Sequence, residues 1–93
     1  MAFLQTHFWK GGTEDQYRAM LTAVHPPQGL PEGQTAHAAG PTDGGYLISV
    51  VWESKEHSER FMNDKLMPAL PVDGGFDGAP EERVADVKHL ELA

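Results

Sequence analysis

Apolar and polar positions along the chain fall into six blocks separated by Gly- and Pro-rich breaks. From Ala2 to Trp9, aromatic and aliphatic residues mix with polar ones until Gly11-Gly12 stops the run, which predicts a strand. Its two faces are Phe3, Gln5, His7, Trp9 and Ala2, Leu4, Thr6, Phe8. Both are mostly apolar, so both sides of the sheet are expected to face something other than bulk water. Thr13-Glu14-Asp15-Gln16 then has the form of a capping box, with its two acids suited to the positive end of a helix dipole. Tyr17, Met20, Leu21 and Val24 follow at spacings of three and four, the apolar stripe of a helix that lies on a sheet and ends by Pro26-Pro27.

His25 to Gly33 is a loop, Gln34 to Ala39 a weak strand, Pro41-Thr42-Asp43-Gly44 a turn, and Tyr46 to Glu53 the strongest strand of the chain. In such a hairpin an even-numbered loop puts His37 on the face of Tyr46, Ile48, Val50 and Trp52; an odd loop or a bulge would move it to the other face. Ser54 is the N-cap of a second helix whose face runs through His57, Phe61, Met62, Lys65, Leu66, Ala69 and Leu70, limited or kinked by Pro68. Val72 to Glu82 is a second loop, and its only large apolar residue, Phe76, is expected to insert somewhere. Arg83 to Leu92 closes the chain as a strand.

Strand, helix, strand, strand, helix, strand is the split βαβ order of an α+β, ferredoxin-like domain, βαββαβ, expected here as one domain over residues 1–93. Four antiparallel strands with both helices on one face leave the other face bare. The sheet of a second copy is the simplest cover, which predicts a homodimer with a barrel-like interior.

Composition narrows the partners. Fourteen acidic against seven basic side chains give a net charge of -7 with no Lys/Arg cluster, so neither nucleic acid nor an anionic membrane is an expected partner. The absence of cysteine removes disulfides, thiolate metal sites and a Cys nucleophile. No signal-like N-terminus and no apolar run near about 18 residues occur, which predicts a soluble, cytoplasmic protein. Gly11-Gly12 and Gly74-Gly75 lack the residues that complete a phosphate loop, and the histidines lack metal-site spacing, so no cofactor or metal is expected.

Five histidines, His7, His25, His37, His57 and His89, are the obvious acid/base candidates, because imidazole titrates near neutral pH. His37 stands out: Ala36, Ala38 and Ala39 leave space beside it, and by parity it looks toward Tyr46 or Trp52. His7 is second, on a central strand with Phe3, Gln5 and Trp9 as neighbours. For both, the competing role is a buried histidine hydrogen-bonded to a backbone carbonyl. Trp9, Tyr17, Tyr46, Trp52 and Phe61 could wall an aromatic cavity or simply fill a core and a dimer seam.

The element order, Trp52-Glu53-Ser54 at the end of the third strand, Phe61, and Leu66-Met67-Pro68-Ala69-Leu70 together resemble the dimeric α+β barrel superfamily, in particular its small antibiotic-biosynthesis-monooxygenase-like (ABM-like) domains. That resemblance implies a cofactor-independent monooxygenase or isomerase acting on an apolar aromatic or quinonoid compound. His37 would be the base, Tyr46 or Tyr17 a hydrogen-bond donor, and His7, Trp9, Tyr17, Trp52 and Phe61 the substrate walls. Haem-degrading relatives would carry a histidine late in the second helix; Asn63 to Leu70 contains none. The alternative is a noncatalytic dimeric ligand-binding or interaction module. A closed pocket of roughly 300 Å3 or more with convergent polar groups favours the enzyme, and a filled interior the module.

Overall fold

The computed structural model describes residues 1–26 and 29–93. Its elements are β1 (Phe3–Lys10), α1 (Glu14–Val24), β2 (Gln34–Thr42), β3 (Gly45–Trp52), α2 (Lys55–Phe61) and β4 (Glu81–Asp86). The strands form one antiparallel sheet in the order β2-β3-β1-β4. The fold class is therefore α+β.

Local chemistry accounts for the boundaries. Thr13 closes the expected capping box: its Oγ1 accepts from the Gln16 amide at 3.2 Å, and the Thr13 amide donates to Gln16 Oε1 at 3.0 Å. At the other end of α1, His25 precedes Pro26 and is extended, at φ -92° and ψ 146°, as the proline ring requires of the residue before it. Pro27, the second expected helix breaker, and the middle of the expected 25–33 loop lie outside the described residues. Ser54 caps α2 by accepting from the His57 amide at 3.3 Å.

The second helix departs from a simple kink. After Phe61 it widens into a π-helical turn, Met62–Leu66, in which the Met67 amide donates to Met62 O, and it closes with one more α turn, Met67–Ala69. Pro68 has no N–H to give Asp64 O, and the wide turn is how the helix absorbs that missing bond.

The β2–β3 hairpin turns through Asp43 and Gly44 alone, with Gly44 at φ 84°. The loop is even, so His37 pairs with Val50 and Ala39 with Ile48, as parity predicts. Between Gln34 and Ala36 the register shifts by one residue, a bulge at Thr35. Gln34, an even-numbered residue, therefore lies on the face of His37.

Register fixes the two faces of the sheet. One carries Phe3, Gln5, His7 and Trp9 opposite Trp52, Val50, Ile48 and Tyr46; the other carries Leu4 opposite Val51 and Phe8 opposite Leu47. The core is on the first face, where buried Phe3, Val50 and Trp52 pack with Ile48 and Phe61. On the second face Leu4, Phe8 and Val51 are only half-buried and Leu47 is 43% exposed.

The closing strand is shorter than its sequence predicts. β4 ends at Asp86 because its partner runs out: Asp86 pairs with Phe3, the first residue of β1, and the Val87 amide makes one further bond to Ala2 O at 2.9 Å. Leu90 and Leu92, expected within this strand, lie beyond it and are exposed. Among the described residues no helix is long and apolar enough to cross a membrane.

Candidate functional site

The apolar stripe of α1 meets the sheet at Tyr17 but is nowhere fully buried against it. None of its residues is buried, and Tyr17, Met20, Leu21 and Val24 instead line a cavity of about 330 Å3. Its floor is the first sheet face, including Gln5, His7, His37 and Val50, and its far wall is Phe61, Met62 and Leu66 of the second helix. The wide turn at Met62–Leu66 thus stands in that wall.

Of the residues expected at a site, His7, Trp9, Tyr17, His37, Trp52 and Phe61 all line this cavity. Tyr46 does not. It is buried with its ring stacked on Tyr17, 5.1 Å between centroids, and next to Phe76 at 6.1 Å. Phe76 inserts as the second loop predicted, stacking on Trp9 at 4.7 Å and closing that end of the cavity.

One polar end is built on β2. His37 Nδ1 lies 2.8 Å from Gln34 Oε1, an atom that only accepts, so the ring proton sits on Nδ1. Nε2 is then the acceptor, and it takes the hydroxyl proton of Tyr17 at 2.5 Å. Burial lowers the His37 pKa from its ordinary value near 6.5. Burial, and the neighbouring Tyr46 hydroxyl after it, raises that of Tyr17. Both shifts hold the pair neutral at pH 7. His25 stands edge-on to His37, 5.0 Å between centroids, and burial first and His37 second lower its pKa too.

The other polar end is built on β1 and β4. Register sets His7 directly opposite Glu82, and His7 Nε2 lies 2.8 Å from Glu82 Oε2. Gln5 Nε2 donates to the same carboxylate oxygen at 2.9 Å. The hydrogen bond from His7, reinforced by that from Gln5, lowers the Glu82 pKa, so the carboxyl is ionised. Gln5 itself is buried, its Oε1 accepting from Trp52 Nε1 at 3.1 Å and from Ser58 Oγ at 3.2 Å. Gln5 ties the site to the core.

The remaining histidines are elsewhere. His57 holds the start of α2, with Nδ1 2.7 Å from Ser54 Oγ, and His89 pairs with Glu91 near the C-terminus. A second, larger cavity of about 420 Å3 shares Val24, His25 and Phe61 with the first. Its charged lining is mixed, Glu32 and Asp64 with Arg60 and Lys65, and Arg60 already lies 3.8 Å from Glu32. Such a lining selects for neither charge. Among the described residues no group of three or more His, Asp or Glu side chains could hold a metal ion.

Gln34 and Glu82 are members of the site that sequence reasoning missed, and His25 was named only among the five histidines and not singled out. A scan against protein-family models finds no match to this chain, and neither does a search of the curated proteins.

Proposed function

We propose that the protein is a small-molecule enzyme of the dimeric α+β barrel type, with a ferredoxin-like βαββαβ domain, that moves a proton on an apolar aromatic or quinonoid compound held between sheet and helices. The reaction classes are isomerisation and cofactor-independent oxygenation. The observation that carries this reading is one apolar cavity with an imidazole at each end. At about 330 Å3 it is large enough for a small aromatic ligand, and it is not the filled interior that an interaction module would have.

The hydrogen-bond polarity at the β2 end specifies what that ligand presents. The Tyr17 proton is committed to His37, so the group left facing a ligand is the phenol oxygen as an acceptor. The ligand therefore offers a hydroxyl or N–H there, as a phenol or hydroquinone does. Calorimetric titration with 2-naphthol and 2-methoxynaphthalene checks this. The naphthol is expected to bind about tenfold tighter, the worth of one hydrogen bond, and Tyr17→Phe to erase the difference. Equal affinities in the unaltered protein would refute the acceptor role. Failure of both compounds to bind would remove the cavity reading itself.

The apolar second face of the sheet supports pairing with a second copy. Leu4–Val51 and Phe8–Leu47 form two apolar cross-strand pairs there, separated by the Thr6–Ser49 pair, and exposed apolar side chains on a sheet face are stabilised by cover. Sedimentation equilibrium at micromolar concentration is expected to return the mass of a dimer; a stable monomer contradicts the pairing.

A further inference from the structure

His37 is poorly placed to take a proton from a ligand. Its Nε2 is occupied by Tyr17, its Nδ1 carries a proton toward Gln34, and both partners are neutral. His7 differs in each respect. Its partner is a carboxylate, which only accepts, so the ring proton sits on Nε2. Nδ1 is left as a lone-pair acceptor with no hydrogen-bond partner among the described residues, on a side chain that lines the cavity. A carboxylate behind an imidazole fixes the tautomer and stabilises the imidazolium that forms when the opposite nitrogen accepts a proton.

Three features show that this pair is constructed rather than incidental. Glu82 is directly opposite His7 in the β1–β4 register. Its Oε2 is held a second time by Gln5 Nε2, from a side chain that is itself buried. Gln5 in turn is fixed by Trp52 and Ser58, so the chain of bonds from the core to the His7 ring is unbroken.

We propose that His7, positioned by Glu82, is the proton-accepting residue of the cavity, acting on an acidic C–H at the end of the ligand opposite the hydroxyl that Tyr17 accepts. This rests on the reading of the cavity as a small-molecule site. His7 and His37 lie two strand spacings apart across the sheet and two residues apart along it, roughly 12 Å between Cα atoms. Side chains on one sheet face project roughly parallel, so about this separation is kept at the rings, and once a contact of about 3 Å at each end is subtracted it suits a flat ligand of about two fused rings. Nδ1 takes the proton, the C–H electron pair stays with the ligand as a carbanion or moves into an adjacent acceptor bond, and Nε2–H remains on Glu82.

The probe is 5-nitrobenzisoxazole, a flat bicyclic C–H acid. A base removes its ring C–H proton, the electron pair forms the nitrile, the N–O bond breaks, and a coloured cyanonitrophenolate is released with no other reactant. The protein is expected to turn it over faster than free imidazole at equal concentration. His7→Gln is expected to lower that rate by at least about 10²-fold, the usual worth of a general base, and His89→Gln, at a residue that does not line the cavity, to leave it unchanged. Glu82→Gln is expected to lower the rate and, in ¹⁵N NMR of the imidazoles, to move His7 away from the Nε2–H tautomer; an unmoved tautomer limits Glu82 to a structural role and overturns its part. The same spectrum of the unaltered protein needs no variant to fold, and an Nδ1–H tautomer at His7 refutes the assignment directly. Quenching of Trp9 and Trp52 fluorescence by the probe reads binding separately. If neither the probe nor 2-naphthol binds, the cavity reading fails; if the probe binds and His7→Gln turns it over undiminished, only the role of His7 fails; and if 2-naphthol alone binds, the His7 tautomer decides.

Discussion

Trp52→Ala is expected to destabilise the protein by about 3–5 kcal/mol, the usual cost of truncating a fully buried large aromatic side chain. Trp52 is 2% exposed, packs with Phe3, Val50 and Phe61 in the small core, and donates its indole N–H to Gln5 Oε1. The core contains few large side chains because a cavity occupies the space that helix residues would otherwise fill. Little else can compensate for the loss. Domains of this size have a total stability of about 5–15 kcal/mol, so the variant should show a much lower urea midpoint and a measurable unfolded fraction near 37 °C. A shift below about 1 kcal/mol would mean that Trp52 does not organise the core in this way.

The second large effect is expected at Gln5. Gln5→Leu keeps the volume but leaves two buried donors, Trp52 Nε1 and Ser58 Oγ, without their acceptor. An orphaned buried polar group costs about 1–3 kcal/mol, so the variant, with two of them, should lose about 2–6 kcal/mol by urea unfolding. Adding Ser58→Ala removes one of the orphans. The double variant is therefore expected to be more stable than the sum of the single effects by about 1 kcal/mol, and strict additivity in this cycle would show that the Gln5–Ser58 bond has no energetic content.

Much of this arrangement was legible in the residues. Thr13, Ser54 and the prolines announce both helices; strand alternation groups His7 with Trp9 and, for an even hairpin loop, His37 with Trp52, and the β1–β3 register joins the two groups on one face. What escaped depends on single-residue register. A bulge at Thr35 adds one residue to β2 and turns Gln34 onto the face of His37, and nothing in Gln34-Thr35-Ala36 signals that extra residue. Glu82 falls before the strand that the alternation of Val84, Ala85 and Val87 suggests, and only the pairing of β4 with β1 shows it opposite His7. The wide turn at Met62–Leu66 was visible only as a proline problem, because a kink and a π turn both relieve a missing N–H. Whether the aromatic residues wall a cavity or fill a core could not be decided from the sequence: an apolar stripe at helical spacing looks the same whether it is buried on the sheet or lines a space above it.

β4 gives the site one more property. All six of its residues are exposed, and it pairs on one side only, at the edge of the sheet. Edge segments with few buried contacts open through local fluctuations at a lower free energy than global unfolding. Each such opening carries Glu82 away from His7 while Gln5, Trp52 and the helices stay in place. The proton-accepting centre therefore has a thermal limit of its own, set by the fraying of one short strand and reached before the fold melts.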